Sequence, residues 1–291
     1  MTSALHCRMF TSVLQPMSYA EIKQSMRSST SVASAHILGT RIDVTTYHQA
    51  CDLIAEWIRQ GKGGYVVAAN VHVVMTGVWR SPFQRVVNGA QLVTSDGMPL
   101  VWGLQLLGFP QAERVYGPDL MLALCDRAQE EGWRIFLYGS ESLVLERLQG
   151  KLQQRFPRIQ LVSTYAPPFR PLTPEEDASD RQRILDSGAD LVFVSLGCPK
   201  QEEWMARQSP CLPVVLVGVG AAFNFHSGIV AQAPRWMMAI GLEWLFRLLQ
   251  EPRRLWQRYL INNPAFVVLF AAQLLRHWLG RWQAKRVPKG L

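Results

Sequence analysis

Two runs, DLVFVSL (residues 190–196) and PVVLVGV (213–219), are apolar at nearly every position. A strand with one wet face alternates polar and apolar residues, so unbroken runs of this length belong to strands covered on both faces. Further strands are expected earlier, in GYVVAAN, GAQLVTSDG and RIFLYGS, with IQLVSTYAPP as strand and loop. Helices are expected between them, through YHQACDLIAEWIRQG, through GPDLMLALCDRAQEEG and from about Leu143 to Phe156. Another, LTPEEDASDRQRILDSG, opens with Thr173 as N-cap, Pro174 in the first helical position and Glu176 three residues after the cap, which together make a capping box. Strands alternating with helices imply an α/β fold, a mostly parallel sheet with helices on both faces and right-handed crossovers.

The ends of the chain depart from this grammar. Residues 1–35 are rich in Ser, Thr and Met and lack the n-region, h-region and cleavage site of a signal peptide. They are expected to be a disordered lead or an over-called start, since Met9, Met17 and Met26 could each begin translation. Residues 36–233 form the expected α/β domain, and residues 234–291 a C-terminal helical segment with no strand candidate and five of the ten tryptophans. The formal charge of +8 belongs to that last stretch, because residues 247–291 hold nine Lys or Arg against the single acid Glu251. Its apolar run AFVVLFAA is too short to span a bilayer, which takes about 20 residues. Trp and Leu beside Arg and Lys instead suggest helices lying in a membrane interface, with cations on lipid phosphates. This C-terminal membrane-binding appendage would meet an anionic membrane surface. A nucleic-acid partner is disfavoured, since the basic segment is apolar and carries no recognition motif. Exposed apolar helices allow a homo-oligomer.

Five cysteines, Cys7, Cys51, Cys125, Cys198 and Cys211, are odd in number and form no C-x-x-C pair, which suits buried thiols in a reducing cytosol. The histidines are scattered and no Asp-x-Asp pair occurs, so neither a metal nor a cofactor is expected.

Several apolar runs end in polar residues, where ligands of open α/β sheets bind. Asp96 ends one run and precedes Gly97; Asn70 follows GYVVAA in the same topological place. Asp-Gly is also a common turn pair, and only the company of other polar strand ends raises Asp96 above that reading. Arg114 precedes the helix start at Gly117-Pro118. Gly139 ends a further strand, with Ser140 or Ser142 expected as a helix N-cap able to meet a phosphate or ribose hydroxyl. After Gly197, Pro199 suits the first position of a helix, and Lys200 and Gln201 follow. GVGAAF (218–223) is G-x-G without a third glycine at the right offset or the acid expected about 20 residues on, and reads better as a tight turn than as a dinucleotide site.

Taken in order and spacing, SDG, ERVYGPDLM, LGCPKQEEW, GVGAAFNFHSG, APRW and GLEWLFRLLQEPRR resemble the WecG/TagA/CpsF family of bacterial glycosyltransferases, from about Ile37 to Arg258. The resemblance implies transfer of a sugar from a UDP-sugar to a polyprenyl-diphosphate-linked acceptor on the cytoplasmic face of the cell membrane, with inversion and without metal. It implies N-acetylmannosamine or a related hexose as the sugar. By the same resemblance the catalytic base falls on Asp96, and substrate-binding roles on Asn70, Arg114 and Gln201. Diphosphate-binding arginines fall on Arg247, Arg254 and Arg258. Three positions depart from the family pattern: Ala68 replaces a hydroxyl residue, Gln232-Ala233-Pro234 stands for Arg-Ala-Pro, and Asn224 stands for an Asp. They bear on donor identity rather than on reaction class.

Inverting transfer needs a base for the acceptor hydroxyl and positive charge for the departing UDP. Asp96 would supply the first and the C-terminal arginines the second, with Lys200, Gly139 and Ser140 as further substrate contacts. Two other readings stay open, a nicotinamide-dependent nucleotide-sugar dehydrogenase and a non-catalytic membrane protein that binds nucleotide sugars.

Overall fold

The computed structural model describes residues 32–286, with side chains described through residue 280. An antiparallel hairpin of β1 (Ser34–Ile37) and β2 (Thr40–Asp43) comes first. Its first strand begins inside the stretch 1–35 expected as a lead, whose residues 1–31 lie outside the described residues. Then follow α1 (Tyr47–Arg59), β3 (Gly64–Ala69), α2 (Val71–Trp79), α3 (Ser81–Asn88), β4 (Leu92–Ser95), α4 (Met98–Leu106) and α5 (Gly117–Glu131). The second half runs β5 (Arg134–Gly139), α6 (Ser142–Arg155), β6 (Gln160–Tyr165), α7 (Pro174–Ser187), β7 (Leu191–Ser195), α8 (Lys200–Gln208), β8 (Val215–Gly218) and α9 (Ala222–Ser227). Three helices close the described chain: α10 (Arg235–Ala239), α11 (Glu243–Gln250) and α12 (Pro252–Arg286).

β3 to β8 form one six-stranded sheet in the order β4-β3-β8-β7-β5-β6, with every neighbouring pair parallel. Alternate residues of a strand feed two separate cores. Phe136, Tyr138, Val192 and Val194 pack with α2, α3, α4 and α8, whereas Ile135, Leu137, Leu191 and Phe193 pack with α1, α5 and α6. Both faces are thus dry, which is why these runs are apolar throughout. The capping box at Thr173 and Glu176 is present, and a second one caps α1 through Thr46 and Gln49.

The C-terminal segment is no loose extension. Phe266, Phe270 and Leu274 of α12 are buried in the same cluster as α2 and α4. The Gln273 amide donates to the His36 carbonyl and its oxygen accepts from the Leu38 N–H. α12 runs 35 residues through Pro264, and among the described residues no helix is long and apolar enough to cross a membrane.

Candidate active site

β4 stops at Ser95, and the chain turns through Asp96 and Gly97 into α4, which leaves the Asp96 carboxylate at the carboxyl end of the sheet. Two neutral donors hold it. The Gly117 N–H donates to Oδ1 at 2.7 Å and the Asn70 amide to Oδ2 at 3.3 Å. Asn70 is the N-cap of α2, and its own Oδ1 accepts the N–H groups of His72 and Val73, so its amide nitrogen is the end left to face Asp96. Gly117 permits the approach: a Cβ there would lie 3.2 Å from the Ala68 Cβ and 3.4 Å from Asp96 Oδ1. Burial is the largest influence on the carboxyl; with Glu243 adding and Arg114 opposing, its pKa rises from 3.8 to about 6.

Arg114 lies beside this acid but does not pair with its carboxylate. Its Nε donates to the Asp96 main-chain carbonyl, and its Nη2 donates to Glu243 Oε2 at 2.5 Å. The other Glu243 oxygen accepts the Tyr116 hydroxyl at 2.8 Å, and the guanidinium lies 4.0 Å from the centre of the Tyr116 ring. Nothing in the sequence singled out Glu243 beyond placing it on a helix. The contact joins residues 129 apart, and only the docking of α11 brings them together.

Asn70, Asp96, Arg114 and Glu243 line one end of a cavity of about 590 Å³, and Arg247 and Arg258 line it too. From there it continues as an apolar trough between Met98, Trp102 and Leu106 of α4 and Val267, Phe270 and Ala271 of α12. Arg247 is held beneath the Phe225 ring, 5.6 Å from its centre. Arg258 is aimed by the residue one turn further along α12: Asn262 donates to His72 Nδ1 at 3.2 Å and accepts from Trp79 Nε1 at 3.2 Å. Burial and the nearby Arg258 charge, opposed by a hydrogen bond to the Cys198 main chain, lower the His72 pKa to about 3 and keep the ring neutral.

The remaining candidates are placed elsewhere. Arg254 pairs with Glu251 at 2.6 Å on the exposed side of α12 and does not line the cavity. Lys200 and Gln201 also lie off it. The Lys200 ammonium sits 4.6 Å from the centre of the exposed Phe169 ring. Gln201 is buried and donates to Glu202 Oε1 at 2.9 Å, while burial raises Glu202 to about 7. Pro199 is the N-cap of α8 and not its first helical residue. Gly139 is required for packing, since its φ is +109° and a Cβ would lie 2.5 Å from the Ser195 carbonyl oxygen. Neither Ser140 nor Ser142 caps α6: Glu141 is the N-cap, and the Ser140 hydroxyl, from a residue with φ of 66°, donates to Asn224 Oδ1 at 3.3 Å. GVGAAF leads into α9, a helix of six residues, as a tight turn does.

A parallel α/β sheet with a desolvated acid at its rim, in a cavity lined by both arginines and apolar side chains, has the parts of an enzyme. The comparisons say which kind. Residues 35–280 match the description Glycosyl transferase WecG/TagA/CpsF family, and the chain belongs to that family. It is also 31% identical over 212 residues to the N-acetylglucosaminyldiphosphoundecaprenol N-acetyl-beta-D-mannosaminyltransferase of Bacillus spizizenii, a match covering 72% of this chain and 80% of that protein. Membership removes the dehydrogenase reading.

Proposed function

We propose that this protein transfers a single sugar, N-acetylmannosamine or a related hexose, from a UDP-sugar to a polyprenyl-diphosphate-linked saccharide, with inversion and without a metal. The observation that carries the reading is the Asp96 carboxylate, held by Asn70 and Gly117 on the wall of a cavity that grades from arginines to an apolar trough. In this reading Asp96 takes the proton from the acceptor hydroxyl as that oxygen attacks the anomeric carbon and the bond to UDP breaks. A base with a pKa near 6 is ionised at neutral pH yet strong enough to accept a proton. Arg247 and Arg258 neutralise the diphosphate that leaves; the Arg258 Nε–H has no partner among the described residues and is free to donate to a phosphate oxygen. Arg254, paired with Glu251 off the cavity, takes no part in this reading. Lys200 and Ser140, at the β5 and β7 end of the same rim, would serve the nucleotide, with Gln201 and Gly139 supporting the strand ends behind them.

The relative's name, with its diphosphoundecaprenol acceptor, supports a prenyl chain as the trough's occupant. The surface of α12 supports a membrane setting. Leu260, Ile261, Val268, Leu275 and Trp278 are exposed, and Ile261, Val268 and Leu275, seven residues apart, form one stripe. With the basic charge of residues 247–291, residues 234–291 would rest on the anionic inner face of the cell membrane and residues 36–233 carry the catalytic sheet.

The test is a panel of UDP-sugars against a prenyl-diphosphate N-acetylglucosamine acceptor, read by the mass of the lipid product, with D96N as control. One donor is expected to give an acceptor extended by one sugar, and D96N none. Donor binding with no extension of any acceptor would favour a non-catalytic binder, and full activity in D96N would remove Asp96 as base.

A further inference from the structure

We propose that Glu243 is a positioning residue: by drawing the Arg114 guanidinium onto itself it keeps that charge off the Asp96 carboxylate, and it does so only while the helix carrying it is docked. The inference rests on Asp96 being the base. Arg114 is gripped at three points, by the Asp96 main-chain carbonyl, by Glu243 and by the face of Tyr116, and none of the three is the Asp96 carboxylate. The side chains of Arg114 and Glu243 are only 16% and 15% exposed, so water does little to screen their pairing. Without Glu243, the acid closest along Arg114's existing contacts is the one whose carbonyl it already touches. An opposite charge within about 4–6 Å lowers a carboxylate pKa by about 1–3 units, which would leave a poor base.

The coupling to docking follows from where Glu243 sits. It opens α11, and the segment before it is anchored by Ala233 and Met238, buried against Tyr116, with Phe246 of α11 packed on the same cluster. Tyr116 therefore serves twice, as apolar seat for the segment and as hydrogen-bond donor to its acid. If the segment lifts, Glu243 leaves and Arg114 is released toward Asp96.

The other groups around Asp96 do not supply this effect. Tyr47 of α1 accepts from the Tyr116 N–H, and burial pushes its pKa to about 12; burial raises Tyr116 further, so neither phenol ionises near neutrality. From α2 come the neutral Asn70 amide and His72, whose pKa is lowered to about 3. Arg247 and Arg258 line the cavity from α11 and α12, and Glu202 of α8, raised to about 7, interacts with Arg258.

The experiment titrates the full-length protein labelled with 13C at the aspartate carboxyls, the Asp96 signal being assigned by its loss in D96N. The wild-type midpoint is expected near 6. In E243Q, which keeps the size of the side chain and one of its two acceptor oxygens but removes its charge, it falls by about one unit or more. In R114Q, where Glu243 remains, it rises. Y116F removes a hydrogen bond to Glu243 but no charge and leaves the midpoint in place, which separates charge from packing. An unmoved or rising midpoint in E243Q overturns the proposal; should E243Q not fold, an unmoved midpoint in R114Q does so. The acid limb of kcat/KM for sugar transfer follows the same shifts. Transfer that survives D96N while the titrations behave as stated refutes the base reading alone, and transfer lost in D96N with an unmoved E243Q midpoint refutes this proposal alone.

Discussion

A carboxylate kept out of water costs the folded protein stability, and Asp96→Asn should give some of it back. The Asp96 pKa is raised from 3.8 to about 6. At about 1.36 kcal/mol per unit, the ionised form is penalised in the folded state by at most roughly 3 kcal/mol. The carboxylate lines an open cavity, and allowing for partial access of water leaves about 2 kcal/mol. The asparagine loses something too. Its oxygen can still accept from Gly117, but its amide nitrogen then faces the Asn70 amide, which cannot turn because its oxygen caps α2; one lost hydrogen bond costs about 1 kcal/mol. The net gain is about 1 kcal/mol, or roughly 2–4 °C in Tm. The sign follows from linkage: a carboxyl with a raised folded pKa destabilises fully above that pKa and not at all below its unfolded value. Melting curves should place D96N above wild type at pH 8, with the gap closing and then reversing slightly as pH falls from about 6 toward 4. A gap that is independent of pH, or a less stable D96N at pH 8, would show that Asp96 is not a desolvated carboxylate and refute the reasoning.

Two further substitutions probe the lipid side. Ala271 is small and exposed on the trough wall, so A271W should raise the KM for a long-chain prenyl acceptor roughly tenfold, about 1.4 kcal/mol, while a short soluble acceptor is used as before. The paired change V268E and L275E places two acids on the exposed stripe of α12, outside the cavity, and should weaken flotation with anionic vesicles on the order of tenfold or more, without lowering the protein's melting temperature.

The sheet was legible because strands buried on both faces leave nearly unbroken apolar runs, as β3, β5, β7 and β8 do, whereas the edge strand β6 is only partly covered and mixes polar residues into its run. The helices α2, α3 and α4 were not. Val71–Trp79 is apolar nearly all round because one side meets the sheet and others meet α3 and α12, so it shows no polar stripe at helical spacing. Nor was the fate of AFVVLFAA legible: Phe266 and Phe270 are core, while Val267 and Val268 are exposed, a division set by α4 and α2 arriving from far away in the chain. Ser140 failed as a cap for a different reason. Gly139 turns so tightly against β7 that Ser140 is carried to a positive φ and its hydroxyl toward Asn224, leaving Glu141 to begin the helix.

Every polar strand end looks alike in the sequence, and the structure divides them. Asp96 and Asn70 stand at β4 and β3, one edge of the sheet, whereas Ser140 and Gln201 follow β5 and β7. Three strand spacings of about 4.8 Å separate β4 from β7, roughly 14 Å, too far for side chains to touch and within the length of an extended nucleoside diphosphate sugar. The two groups are therefore not one cluster; under the proposed function they would be opposite ends of one nucleotide sugar. Arg258 stands between them, since it lines the Asp96 cavity and also interacts with Glu202 beside Gln201. Under the proposed function this cation would meet the donor's diphosphate. Its position depends on Asn262 locking α12 to His72 and Trp79, so under the proposed function the helix resting on the membrane would also hold the charge for the leaving group.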